Sequence, residues 1–366
     1  MAFFSLTGDR EVAKPFLRAT KASFSLNALL FKTMIRAAHH GALPLRGRNF
    51  AVFVTFTEMP YVAEYVYRHL DFLNANNFNV IVVSNSKKIN EQSLRELKAR
   101  SLAVLERPNV GYDFGAYRDG VLWVAQHFEA SDRLLLLNDS VFGPINIKSD
   151  LFSRAFSLDA DIIGLLESME HRYHFQSFWI LFNRNVTASQ KFVDYWRSVP
   201  YYKDKLSVVE KLETRILNYF LQADFRSEAI FQVDVVTRQA MAGFMREIDQ
   251  IISASAGRDS ESLEAPARPE PTTPAERLRA SQRGTPLRAR LDYLRQIVGI
   301  LNHGVPMNPS VFMWRTLLQE FQFPYIKREI FTRNPVSEPN ILSAYDVTAA
   351  CGYPVELVRS YLRGAR

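Results

Sequence analysis

Residues 109–144 read NVGYDFGAYRDGVLWVAQHFEASDRLLLLNDSVFGP. A glycine-punctuated turn holding one acid, Asp113, leads into a helix from Gly115 that turns Tyr117, Val121, Val124 and Phe128 to one face. Four consecutive leucines follow, and their continuity predicts a strand buried on both faces. They stop at Asn138, Asp139 and Ser140. Ligands of open α/β sheets bind outside the carboxyl ends of the strands, so these small polar residues are candidates for ligand contact. They are equally candidates for capping a turn, which Asn, Asp and Ser all favour.

The same alternation extends to both sides. FAVFVTF (50–56) and FNVIVVSNS (78–86) are apolar, β-branched runs, and between them Val62, Tyr65, Val66, Leu70 and Leu73 recur at helical spacing. NEQSLRELKARS (90–101) reads as a helix and LAVLERPN (102–109) as a strand. Strand and helix alternating through four strands predict a doubly wound α/β fold with a mostly parallel central sheet. Further on, DIIGLLES (161–168) and FQSFWILFN (175–183) read as strands, followed by helices near 190–198 and 208–221. Three strand ends carry polar loops, TEMPY (57–61), RPNVGYDFG (107–115) and NDSVFGP (138–144). Gly111 and Gly115 allow close backbone approach to a ligand, and a helix opening at Gly115 offers a site for an anion. Neither the G-x-G-x-x-G dinucleotide fingerprint nor the P-loop pattern is present.

The chain has 366 residues, 47% of them hydrophobic and 13% aromatic, enough for a sizeable core. Lys and Arg number 45 against 38 Asp and Glu, a net charge of +7 that suits a phosphate-bearing substrate, an anionic membrane surface or nucleic acid. A single cysteine, Cys351, supports no disulfide framework within one chain. The first residues lack a basic start and a long apolar run, so no signal peptide is expected. No apolar stretch approaches a membrane span, and the protein is expected to be cytoplasmic. Residues 1–48 read as a basic helical extension, with Phe24, Leu26, Leu29, Leu30, Phe31, Met34 and Ile35 on an apolar face beside Lys32 and Arg36. Such a helix either packs on the body or rests on the inner-membrane surface. Residues 253–290 contain no aromatic residue, five prolines and seven arginines, and read as a disordered insertion. Its cations are not interleaved with aromatics, so nucleic acid is not an expected partner. These boundaries leave 49–252 as the nucleotide-sugar-binding and catalytic domain and 291–366 as a helical segment completing it.

NVGYDFGAYRDG, LLLLNDSVFGP, HFQSFWILFNRNV, VVEKLETRIL and NPSVFMWRTLLQEFQFPYIKREIFTRNP occur in order between about residues 50 and 335. Together they resemble the rhamnan synthesis protein F family of glycosyltransferase-like proteins in bacterial surface polysaccharide assembly. The resemblance implies a GT-A-like fold. It implies transfer of a sugar, rhamnose or another deoxyhexose, from a dTDP- or GDP-sugar to a lipid-linked glycan. The competing reading is a non-catalytic glycan-binding or scaffold subunit, because Asn138-Asp139-Ser140 stands where GT-A enzymes place Asp-x-Asp and carries one acid only.

Within that reading Asn109, Gly111, Asp113, Asn138, Asp139 and Ser140 contact the donor. Asp139 is the candidate ligand for a divalent cation, Mg²⁺ or Mn²⁺, bound to the donor phosphates, with His303 as a further candidate. His174, Gln176 and Ser177 are candidates for the sugar pocket; strand alternation places His174 and Gln176 on one face. An inverting transferase needs a base for the acceptor hydroxyl. Glu210 and Glu213 share a helical face at i, i+3, Glu210 being the better match to the family's acid. Lys327, with Arg328 beside it, is positioned in sequence to neutralise a leaving diphosphate.

Overall fold

The computed structural model describes residues 33–145, 150–256, 286–333 and 342–364. Its centre is a nine-stranded sheet with the order β1-β4-β3-β2-β5-β9-β7-β10, and β8 pairs with β7. The strands are β1 (Ala37–His40), β2 (Asn49–Thr55), β3 (Asn79–Ser84), β4 (Ala103–Glu106), β5 (Arg133–Asn138), β7 (Ile162–Ser168), β8 (His174–Phe175), β9 (Trp179–Asn183) and β10 (Ser227–Phe231). The pairings make β4, β3, β2, β5, β7 and β10 run one way and β1, β9 and β8 the other, so the sheet is largely parallel. A second sheet of two short strands pairs β6 (Val141–Phe142) with β11 (Ile326–Lys327).

Successive residues of the central strands feed two separate cores. Ala51, Phe53, Leu135 and Leu137 point to one, and Phe50, Val52, Leu134 and Leu136 to the other. Helices α1 (Glu64–Ala75), α2 (Glu91–Ala99) and α4 (Leu151–Ser157) cover the first face. The long α7 (Val233–Ala256) joins them there, followed by α8 (Pro286–Asn302), α9 (Trp314–Glu320), α10 (Leu342–Ala350) and α11 (Glu356–Gly364). The second face is covered by α3 (Tyr112–His127), α5 (Gln190–Ser198) and α6 (Ile216–Leu221). Both faces of each central strand are therefore dry, which is why the leucine run shows no alternation. The C-terminal helices share a core with β2 and β5.

The chain passes from β2 outward through β3 to β4, then returns to place β5 on the other side of β2. Strand order thus reverses between β2 and β5, and the crevice at such a reversal is the general ligand site of open α/β sheets. The residues closing these two strands are Thr55 and Asn138.

Three expectations from sequence are corrected. Residues 37–40 form an edge strand rather than helix: β1 pairs antiparallel with β4, and His39 meets Glu106 at 2.6 Å. The preceding part of the expected basic extension, residues 1–32, lies outside the described residues. The expected insertion is helical at both ends, since α7 reaches Ala256 and α8 begins at Pro286. Arg290 explains the second boundary: its guanidinium grips both carboxylate oxygens of Glu247 at 2.8 and 2.9 Å, clamping α8 to α7. Residues 257–285 are outside the described set. Third, α3 opens at Tyr112, not Gly115.

Candidate active site

The start of α3 is set by a buried ion pair rather than by a ligand loop. Arg107, the residue after β4, is fully buried, and its Nε donates to Asp119 Oδ2 at 2.7 Å. Its other nitrogens reach Asn85 Oδ1 and the carbonyl of Val110. Asp119 also accepts from the Tyr201 hydroxyl and stands 3.5 Å from Arg118. This network pins residues 107–111 over the sheet. Gly111 takes a left-handed φ of 80° as the helix N-cap, and its N–H is donated to the carbonyl of Tyr202. A Cβ at Gly115 would lie 2.6 Å from the Val110 carbonyl. Both glycines therefore serve chain packing, and neither holds its N–H open at a helix end for an anion, as expected from sequence. Asn109 is exposed on this loop.

The polar strand end at Asn138-Asp139-Ser140 divides its side chains between two directions. Asn138 Nδ2 donates to Asp113 Oδ2 at 3.3 Å, and its Oδ1 accepts from the Ser140 N–H at 3.0 Å. Asp139 turns to β2, where Oδ2 accepts from Thr55 Oγ1 at 2.8 Å and from the Phe56 N–H at 3.0 Å. Its other oxygen, Oδ1, is 3.4 Å from Arg328 Nη2. The Ser140 carbonyl accepts from the Arg328 N–H at 2.9 Å. Register explains this: β11 pairs with β6, so Lys327 sits opposite Val141 and Arg328 next to the turn.

Around Asp113 the arrangement is different. Ser177 donates both its hydroxyl (2.7 Å) and its N–H (3.3 Å) to Glu213 Oε1. Glu213 closes a π-type turn, Val209–Glu213, in which the Thr214 N–H reaches back five residues to the Val209 carbonyl; such turns recur at functional sites. Loss of water and the charge of Glu213 push the Asp113 carboxyl up from 3.8 to about 6. Lys327, its ammonium 4.7 Å from the centre of the Phe178 ring, is held below the usual lysine range by burial, against the opposing pull of Glu213 and Asp113. A carboxyl and a lysine with displaced proton affinities, Asp113 and Lys327, gather with Glu213 at the carboxyl end of the sheet, an electrostatic pattern that marks a candidate site.

The other expected residues are placed as follows. Glu210 is exposed and separated from this cluster, because the widened turn breaks the i, i+3 face it was expected to share with Glu213. The strand holding His174 stops at Phe175, so alternation does not carry on to Gln176 and Ser177. His174 is buried, with Nδ1 2.8 Å from the Arg172 carbonyl. Gln176 Oε1 meets Asn308 Nδ2 and Ser310 Oγ, each at 3.5 Å. Of the three, Ser177 joins the Asp113 cluster. His303 lies near the end of α8, exposed, its Nδ1 2.7 Å from the Gly299 carbonyl.

The residues at the turn do not fit the divalent cation expected there. The single carboxylate has Oδ2 engaged by two donors and Oδ1 facing a guanidinium, whereas Mg²⁺ and Mn²⁺ need carboxylate oxygens turned toward them. A cation placed at Oδ1 would meet the like charge of Arg328. Among the described residues, no group of three or more His, Cys, Asp and Glu side chains could hold a metal ion.

Comparison with known proteins agrees with the sequence resemblance. Residues 80–253 match the family of rhamnan synthesis protein F. The match runs from β3 into α7 and takes in Asp113, the Asn138-Asp139-Ser140 turn, Ser177 and Glu213, while Lys327 and Arg328 lie beyond it. An uncharacterized protein, y4gN, of Sinorhizobium fredii is 31% identical over 172 residues, 46% of this chain and 45% of that protein. The chain thus spans less than half of that relative's length. Virulence protein VirA of Vibrio anguillarum is 24% identical over 80% of this chain and 83% of its own. Among solved structures, a putative nucleotide-diphospho-sugar transferase from Desulfovibrio desulfuricans is 12% identical, covering 50% of this chain and 80% of that one, at a TM-score of 0.29.

Two residues that hold the Asp139 turn were missed in sequence, Thr55 and Tyr65. Tyr65 donates its hydroxyl to the Asp139 carbonyl at 3.0 Å and accepts from Arg328 Nη1 at 2.8 Å. The polar loop after β2 was a signal for the first. Nothing local signals the second, because it is a regular apolar position of α1.

Proposed function

We propose that this protein is a GT-A-type glycosyltransferase of surface polysaccharide synthesis. It moves a sugar from a nucleoside-diphosphate donor to a hydroxyl of a growing glycan. The observation that carries the reading is the convergence of Asp113, Glu213 and Lys327 beside the strand-order reversal. The family match of residues 80–253 supports it. In this reading Glu213, oriented by Ser177, takes the proton of the acceptor hydroxyl. Its half-buried carboxylate is near a lysine, and among the described residues no ion pair engages it, which suits a base. Asp113, held by Asn138, accepts from a donor hydroxyl. Lys327 meets the negative charge that develops on the departing diphosphate. Rhamnose on a dTDP carrier, or a related deoxyhexose on GDP, is the donor class. The acceptor is a lipid-linked glycan, so the reaction takes place at the cytoplasmic face of the inner membrane.

Transfer from a panel of dTDP- and GDP-sugars to a glycan acceptor tests this. Glu213→Gln is expected to lower transfer by roughly 10²–10⁴-fold while donor binding persists, because a base acts on the acceptor. Full transfer by Glu213→Gln would remove the base assignment. A chain that binds donor but transfers nothing to any acceptor would be a glycan-assembly scaffold instead.

A further inference from the structure

The Asn138-Asp139-Ser140 turn is straddled by consecutive cations whose side chains diverge. Lys327 lies over the Phe178 ring, where it feels the charges of Glu213, Glu329 and Asp113, and Arg328 faces Asp139. We propose that the Arg328 guanidinium takes the place of a divalent metal ion at this turn, so that the protein binds nucleoside diphosphates without metal. The inference rests on the glycosyltransferase reading above.

Four observations carry it. First, Asp139 has no oxygen turned away from a protein partner, as the distances above show. Second, Arg328 is fixed in direction: Nη1 donates to the hydroxyls of Tyr65 (2.8 Å) and Tyr361 (3.2 Å), and its backbone N–H to Ser140. Third, the Arg328 side chain keeps 20% of its surface exposed, and its partners Asp139, Tyr65 and Tyr361 line one cleft with Thr55, Phe56 and Met59 at the strand-order reversal. Fourth, Lys327 directly precedes Arg328 where β11 ends, so a second cation flanks the same turn. A planar guanidinium has five N–H donors and matches phosphate oxygens in pairs. Held this way it presents a fixed positive charge without the reorganisation of a recruited ion. Asp139 in this arrangement positions Arg328 and does not ligate a metal.

The experiment is calorimetric titration of the full chain with UDP, GDP and dTDP, first in excess EDTA and then in Mn²⁺. Uptake of Mn²⁺ by the protein alone is followed through the electron paramagnetic resonance of the free ion. The expected result is that one nucleoside diphosphate binds with the same Kd in both buffers and that Mn²⁺ is not taken up. Arg328→Gln should weaken binding about tenfold or more, as for a lost charge-assisted contact. Arg328→Lys should recover part of it and guards against a Gln variant that does not fold. Binding that vanishes in EDTA and returns with Mn²⁺ would overturn the inference and leave the glycosyltransferase reading standing. So would Mn²⁺ uptake abolished by Asp139→Asn. Absence of binding in both buffers would remove the glycosyltransferase reading, and this inference with it.

Discussion

Helix α3 carries two aspartates six residues apart in opposite electrostatic circumstances. Asp119 is fully buried and meets Arg107, Arg118 and the Tyr201 hydroxyl. Asp113, one and a half turns nearer the strand ends, has the Asn138 amide and a neighbouring carboxylate, Glu213. The first charge is matched by rigid donors and holds the loop after β4 in place. The second is poorly matched, and its proton affinity is raised. The same side chain on the same helix is structural where its partners are cations, and chemically poised where its partner is another acid. The contrast applies again at the strand end, where Asp139 is matched by Arg328 and Asn138 reaches toward the poised cluster.

Three measurements can break or sharpen the contrast. The largest effect is expected from Asp119→Ala. It leaves the Arg107 guanidinium buried without its counter-charge and should cost about 3–5 kcal/mol in urea unfolding. A loss below about 1 kcal/mol would show that the network adds little to the fold.

A smaller effect of opposite kind is expected at Asp113. Its folded-state pKa lies near 6, above the ordinary 3.8. A carboxyl so raised favours the folded state while protonated. Its contribution is full below about pH 4 and is lost as pH rises through 6. A shift of this size corresponds to roughly 3 kcal/mol at most, and the side chain's partial contact with solvent reduces it to about 1–2 kcal/mol. Asp113→Asn should therefore be more stable than the parent at pH 7 by that amount and should flatten the decline between pH 4 and 6. Unfolding curves across this range check it. An Asn variant less stable at pH 7 would place Asp113 with Asp119 as a structural acid.

The smallest effect is expected from Glu210→Gln, whose side chain is exposed outside the cluster. Transfer and unfolding midpoint should both match the parent. A fall in transfer comparable to that of Glu213→Gln would mean that the π-type turn rearranges when substrate binds.

Much of the fold was legible because strand and helix periods are local. A run such as Leu134–Leu137 can be satisfied only by a strand with apolar layers on both sides, and the helical spacing between runs supplies those layers. The polar strand ends were legible for the same reason, and they lie at the edge where strand order reverses. Two local readings failed where tertiary contact outweighed pattern. Residues 37–40 form a strand because β4 offers an unpaired edge, and α8 starts early because Glu247 holds Arg290.

The sequence by itself determined the alternation of strands and helices, the two-sided burial of the central sheet and the set of acids near its carboxyl edge. Those follow from the spacing of residues along the chain. The tertiary structure alone decided which acids meet. Glu213 rather than Glu210 joins Asp113 because one widened turn redirects the side chain, and a helical wheel cannot show a turn that departs from its own period. Asp139 is paired because Arg328, 189 positions away, is delivered to it by the pairing of β11 with β6. Charge matching depends on distance in space, and that distance exists only after the chain has folded.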